Sequence, residues 1–184
     1  MIVLAVGAFL GVIASPLIWH FLKNYQKQRI LTFINPNLDP LGVGYNLIQS
    51  IVTVGSGQFI GKGLGSGTQS TLRFLPERST DFIFASLAEE IGFSGCIFLL
   101  AAIFFLLLKV LLIAGKSNTF GKNIAYGVFS LIFVQTVINI GMNIGLLPIT
   151  GVTLPLVSQG GSSLIATMIC LGIVSNISKS KRGL

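Results

Sequence analysis

Three long stretches of this chain carry no lysine, arginine, aspartate or glutamate: Met1 to Leu22, Ile91 to Leu108, and everything between Lys122 and Lys179. A bilayer core about 30 Å thick needs roughly 20 helical residues at 1.5 Å rise each. The first two stretches each predict a membrane helix, and the third is long enough for two helices and a connection. The expected fold class is therefore all-α, a polytopic membrane helix bundle of about four spans at 1–22, 81–114, 123–147 and 163–178, all in one membrane domain 1–184. Segment 23–80 is expected outside the membrane as a large glycine-rich loop, 148–162 as an outer re-entrant-like loop, and 179–184 as a cytoplasmic tail.

The polar segments differ from ordinary loops. Asn35, Pro36, Asn37, Asp39, Pro40, Gly42 and Gly44 are turn-formers, and Gly55 to Gly67 holds six glycines in thirteen residues, which predicts irregular backbone rather than helix. Asn139, Gly141, Asn143 and Gly145 close the third span, with Gly141 and Gly145 spaced for close helix packing. Between Leu147 and Ser163 two prolines and three glycines sit among apolar residues. Such a backbone belongs against protein or along a cavity near the outer surface.

Composition strengthens the membrane reading. The chain is 52% hydrophobic and 9% charged, with mean hydropathy +0.87. Its net charge of +7 is no nucleic-acid signal, because the basic residues gather at span ends where lipid headgroups are the nearest partners. Cys96 and Cys170 lie in apolar spans as small hydrophobes and imply neither a disulfide nor a metal site. The first span lacks the basic start and the small-residue cleavage site of a signal peptide, so it reads as a retained helix, with Trp19 and His20 as an interfacial belt. Short-loop lysines put the Gly115 to Lys122 loop and the Lys179, Lys181, Arg182 tail on the cytoplasmic side, which turns Lys23 to Glu90 outward.

All five acidic residues, Asp39, Glu77, Asp81, Glu89 and Glu90, fall between the first two spans or at the start of the second. The glycine run next to them fails both nucleotide patterns. A phosphate loop ending at Gly61-Lys62 needs glycine at 56 and a hydroxyl residue at 63, but the chain has Ser56 and Gly63; a dinucleotide fingerprint meets Ser66 or Thr68 where its third glycine should be. What remains is an anion nest beside Lys62, Arg73 and Arg78, or a flexible surface loop. Ser79 or Thr80 is suited to cap the next helix, with Asp81 in its first turn. A carboxylate there can serve the helix dipole alone. Its place at a membrane boundary, directly before Phe82, Ile83 and Phe84, equally marks it for chemistry. Glu89 and Glu90 are adjacent on that helix and cannot both face one site, so they are assigned structural or positioning roles.

The runs DPLGVGYNLIQ from Asp39, FLPERSTDFIFASLAEEIG from Phe74, and NIGMNIGLLPITGVTLPLVSQGGSS from Asn139 together resemble the C-terminal half of the RodA/FtsW family of SEDS proteins. The GTQ at Gly67 before the FLPER motif is more similar to the elongation branch, RodA, than to the division branch, FtsW. The resemblance implies a ten-helix fold in the bacterial cytoplasmic (inner) membrane, of which the last four spans are here. It implies a peptidoglycan glycosyltransferase that polymerises lipid II outside that membrane alongside a class B penicillin-binding protein. Carried over, the aspartate of TDFIFA is Asp81, the expected catalytic residue. Lys62, Gln69, Arg73, Glu77, Arg78, Ser162 and Ser163 are the candidates for substrate binding. Ser79 replaces a common histidine and Gln159 a common tyrosine, so neither is given chemistry.

The reaction asks for one ionised carboxylate as base, and the helix start is expected to keep Asp81 ionised. The leaving pyrophosphate asks for positive charge or a divalent cation, with Lys62, Arg73 and Arg78 as side-chain candidates. Two rival readings share the broken, glycine-rich segments. One is a transporter (flippase) of a lipid-linked precursor, which calls for ionisable groups near the bilayer midplane. The other is a non-catalytic scaffold for the penicillin-binding protein, for which Asp81 is dispensable.

Overall fold

The structure is a computed structural model that describes residues 20–71, 74, 75 and 77–180. The span expected at 1–22 lies almost wholly outside the described residues, as do Arg73 and the end of the basic tail. The described residues form α1 (Asn24–Ile34), a 3-10 turn (Pro36–Leu38), α2 (Val43–Ser56), the short α3 (Thr68–Thr71), α4 (Ile83–Lys116), α5 (Thr119–Asn143) and α6 (Gly161–Ser180), with no strand among them. Within segment 23–80 the backbone is thus more helical than its turn-formers predict: α2 takes in Gly44, Gly55 and Ser56. Tertiary packing offsets the roughly 1 kcal/mol that each helical glycine costs, since Leu47, Ser50 and Thr53 of the same helix are buried.

Ile83–Lys116, Thr119–Asn143 and Gly161–Ser178 are each long and apolar enough to cross a membrane. They meet in a seam where Leu107, Val110 and Ala114 of α4 pack on Ala125, Val128 and Ile132 of α5 and Val174 of α6. Ala114 and Ala125 are wholly buried, small enough to let the backbones approach as membrane helices require. Away from the seam α4 is apolar all round, with Phe98, Phe104 and Phe105 exposed. A helix hydrophobic on every face has lipid or protein around it.

α4 is broken at Gly92, whose φ of 68° and ψ of −171° no helix allows. The break frees backbone groups inside apolar surroundings, where an unpaired one costs several kcal/mol. The glycine run takes them up. Phe93 and Ser94 donate their N–H groups to the carbonyls of Gln58 (2.9 Å) and Phe59 (3.1 Å), while Lys62 and Gly63 donate to the carbonyls of Glu89 (2.9 Å) and Glu90 (3.0 Å). A Cβ on Gly57 would strike the carbonyl of Ala88, and one on Gly61 the carbonyl of Glu90. Gly57 and Gly61 are there for backbone-to-backbone contact. Around Lys62 the run is neither a loose loop nor an anion nest, because the N–H groups of Lys62 and Gly63 are spent on the carbonyls of Glu89 and Glu90.

Gly141 and Gly145 likewise serve contacts other than a span-to-span interface. Gly141 gives room to Leu147 as the chain turns out of α5, and Gly145, with φ of 75°, faces Ile51 of α2.

Candidate functional site

Asp81 sits in a turn at 77–82 that precedes α4. Phe82 occupies the N-cap position and makes no side-chain cap, and no acidic residue falls in the first turn. The expected capping by Ser79 or Thr80, with Asp81 inside the helix, is therefore replaced by a cap from another helix. Asn143 of α5 accepts the N–H of Ala85 through its side-chain oxygen (3.1 Å) and donates its amide to the carbonyl of Asp81 (3.0 Å). Asn139, one turn earlier, donates to the same Asp81 carbonyl (3.0 Å) and to the carbonyl of Val152 (2.7 Å). Both asparagines are fully buried. In apolar surroundings two satisfied amides at i and i+4 fix the turn and the loop in one arrangement.

The loop after α5 closes the other side. Ser158 donates its hydroxyl to the carbonyl of Thr80 (2.7 Å), and the N–H of Gln159 donates to the carbonyl of Ser79 (2.8 Å). This is the buried, apolar-flanked backbone that the prolines and glycines predict. The positive φ of Gly151, 77°, carries the loop past the Asp81 carboxyl, and even a Cβ there would lie 3.5 Å from Asp81 Oδ2. Arg29 of α1 donates from Nη1 to the carbonyl of Ile149 (3.1 Å). Beside it lies a cavity of about 380 Å³ lined by Tyr25, Arg29, Ile149 and Thr150.

Burial raises the pKa of Asp81, and the carboxylate of Glu77 raises it further; the Arg29 guanidinium and a hydrogen bond from Thr80 pull it back only in part. The carboxyl is thus not held strongly ionised by a helix dipole. It is a stronger base than a surface aspartate, which suits a proton-accepting role. Glu77 is itself oriented by the hydroxyl of Thr80 (3.0 Å), in a backbone position of φ 50° that few non-glycine residues adopt.

The other sequence candidates divide. Arg78 is exposed in the Asp81 turn. Ser162 is exposed at the start of α6, and the Ser163 hydroxyl pairs with that of Thr153 at 2.9 Å. Lys62 and Gln69 belong to a separate cluster on Glu89. Oε1 of that fully buried carboxylate meets Lys62 Nζ at 2.8 Å and accepts the N–H of Gln69 at 3.0 Å and the hydroxyls of Ser56 and Thr68 at 3.3 Å each. Gln49 ties the Gln69 side chain to α2 at 3.1 Å. Glu89 is two turns past the start of α4, so Lys62 is committed there and not to the Asp81 carboxyl. Among the described residues no three histidine, cysteine, aspartate or glutamate side chains gather as a metal site. Sequence reading missed Arg29, which nothing in its neighbourhood singles out, and missed the joint role of Asn139 and Asn143. Two amides four residues apart in an uncharged run were a usable signal for it.

A profile of the FtsW/RodA/SpoVE family of cell cycle proteins matches residues 1–183. The chain belongs to that family. As a member of the FtsW/RodA/SpoVE family it is an all-helical membrane protein, and it is 50% identical over 177 residues to "Peptidoglycan glycosyltransferase MrdB" of Escherichia coli, a match covering 95% of this chain and 46% of the relative. It is 43% identical over 157 residues to "Peptidoglycan glycosyltransferase RodA" of Treponema pallidum, covering 85% of this chain and 36% of that protein. A solved structure described under "Structural coordination of polymerization and crosslinking by a peptidoglycan synthase complex" superposes with TM-score 0.76 at 34% identity, over 98% of this chain and 50% of that one. The chain thus spans half or less of the length of these family members.

Proposed function

We propose that this chain is the C-terminal part of a RodA-type peptidoglycan glycosyltransferase, which polymerises lipid II at the outer face of the bacterial cytoplasmic membrane with a class B penicillin-binding protein as partner. The names of the E. coli and T. pallidum relatives support the activity, and the synthase complex supports a partner that crosslinks. The observation that carries the reading is the Asp81 carboxyl, half-buried and made more basic, in the turn before α4, beside Gly151 of the loop after α5 and within the field of Arg29. Asp81 takes the proton from a sugar hydroxyl as that oxygen bonds to the anomeric carbon of a second sugar. The bond from that carbon to the lipid pyrophosphate breaks, and its electron pair leaves with the phosphate oxygen. Arg29 and Arg78 supply positive charge on this side of the bundle, with Glu77, Ser162 and Ser163 as further contacts for substrate.

The test uses a chimera in which this chain replaces the matching part of the E. coli relative. Asp81→Asn keeps size and hydrogen bonding but cannot take a proton as a carboxylate does, so polymerisation of lipid II is expected to fall by about 10²-fold or more. Glu90→Gln, with the same loss of charge, is expected to stay within a few-fold of the parent. Membrane levels of both are measured alongside. Near-normal synthesis by well-expressed Asp81→Asn excludes the base role and favours the scaffold reading.

A further inference from the structure

The side-chain nitrogen of Asn139 lies within hydrogen-bond distance of two oxygens, the carbonyl of Asp81 at 3.0 Å and that of Val152 at 2.7 Å. A carbonyl oxygen only accepts, so both hydrogens of the amide are donated and its neighbours fix which way it points. Among uncharged side chains, asparagine and glutamine alone carry two hydrogens on one nitrogen. The two carbonyls belong to different parts of the molecule. Asp81 lies in the turn that enters α4, whereas Val152 follows Gly151, the loop residue whose added Cβ would stand 3.5 Å from Asp81 Oδ2. Both walls beside the carboxyl are thus tied to one nitrogen on α5. The N–H of Ala85, which a regular helix donates to the carbonyl four residues back, goes to Asn143 Oδ1 instead (3.1 Å). The Asp81 carbonyl is left to the two amides. Asn143 shares it, but its other partners run to the start of α4 and, through Ser50 (2.9 Å), to α2. Asn139 is the one that also grips the loop.

We infer that Asn139 is a positioning residue for the reaction: by holding the turn and the loop at a fixed separation, it sets the place and angle at which the Asp81 carboxyl meets the sugar hydroxyl. This role rests on the base role proposed for Asp81. A base must come within about 2.6–3.2 Å of the oxygen whose proton it takes, and a misplacement of about 1 Å can cost 10²-fold in rate. Asp81 stands before the first residue of α4, Ile83, so its aim depends on what grips its carbonyl. Asn139 itself touches no substrate in this scheme. It acts through Asp81.

The test measures lipid II polymerisation by the chimera with the E. coli relative. Asn139→Leu keeps the size of the side chain and removes both hydrogens; kcat is expected to fall about tenfold or more while KM stays within about twofold. Thr136→Val, one turn away on the same helix, removes a buried hydroxyl that donates to the Ile132 carbonyl (2.7 Å) and is expected to keep kcat. The deciding measurement is Asn139→Leu on an Asp81→Asn background. A residue that works through the carboxylate costs nothing further once the carboxylate is gone, so the double variant is expected to match Asp81→Asn within about twofold. A loss of folding would instead lower the rate by the same factor again. If Asn139→Leu does not reach the membrane, Asn139→Asp takes its place, because a protonated carboxyl has the amide's shape but one hydrogen and must free one of the two carbonyls. Equal losses in both backgrounds, or an unchanged kcat, overturn the role of Asn139 and leave Asp81 as base. Near-normal synthesis by Asp81→Asn removes the base reading itself, and this role with it.

Discussion

Asp81 gains its basicity from neighbours that act in opposite directions. Burial and Glu77 raise its pKa while Arg29 and Thr80 lower it, so the acid limb of the polymerisation rate is expected above the range of a free aspartate. As pH falls through that raised pKa the carboxyl takes up a proton and can no longer act as base. Removing a raising group shifts the limb down and removing a lowering group shifts it up: in the chimera, Glu77→Gln is expected to move it to lower pH and Arg29→Gln to higher pH. Superimposable pH–rate profiles for all three proteins would detach Asp81 from the rate. Glu89 works differently, as a buried hub for Lys62 and the N–H of Gln69. Glu89→Gln leaves Lys62 without its counter-charge; because the lysine side chain is 31% exposed and can turn to water, the expected loss of stability is about 1–2 kcal/mol, below that of a fully buried pair. A double-mutant cycle with Lys62→Met, read by thermal unfolding, checks it: coupling near zero would mean the pair is incidental.

The broken helix is the element that organises the outer end of the bundle. Its two halves, 83–91 and 93–116, are rejoined through hydrogen bonds from the glycine run, which makes that run part of α4 in all but sequence. Gly61 has φ of 84° and lies against the carbonyl of Glu90. Alanine there meets both left-handed strain and a backbone contact, so Gly61→Ala is expected to cost about 2 kcal/mol or more. Gly115, inside the same long helix with open space around it, is the control, and Gly115→Ala should be neutral or stabilising by up to about 1 kcal/mol. Thermal unfolding in detergent compares the two. Equal behaviour would remove the close backbone approach from the account.

At the scale of the whole molecule, the turn at 77–82, the glycine run and the loop after α5 are joined at one end of the bundle, and the α4–α5 turn at Ser117 lies at the other. The topology proposed from the short-loop lysines near Ser117 puts the first end outside the cell. A cysteine at Ser66 is therefore expected to react with an impermeant reagent on intact cells, and one at Ser117 only after the membrane is opened. The reverse pattern would invert the topology and move Asp81 away from an external substrate. The exposed apolar faces of α4 and α6 fit membrane helices with lipid or protein around them, in a chain that spans less than half of its E. coli relative.

Membrane helices were legible in the sequence because length without charge is all that a bilayer demands of them. The middle parts of the helices over 83–116, 119–143 and 161–180 follow from uncharged runs. The sequence also singles out Asp81, as a carboxylate at a membrane boundary within a specific motif. What reaches it was not legible. Arg29 is brought to it by α1, and Asn143 by the far end of α5, over separations that no local pattern records. Lys62 looked like a free cation for a phosphate until the fold set it on Glu89, and Gly57 and Gly61 looked loose until the broken helix supplied the backbone they touch. Hydrophobic length acts residue by residue along the chain, so sequence suffices for it. Charge pairing and backbone approach depend on which distant segments meet, and only the tertiary structure decides that.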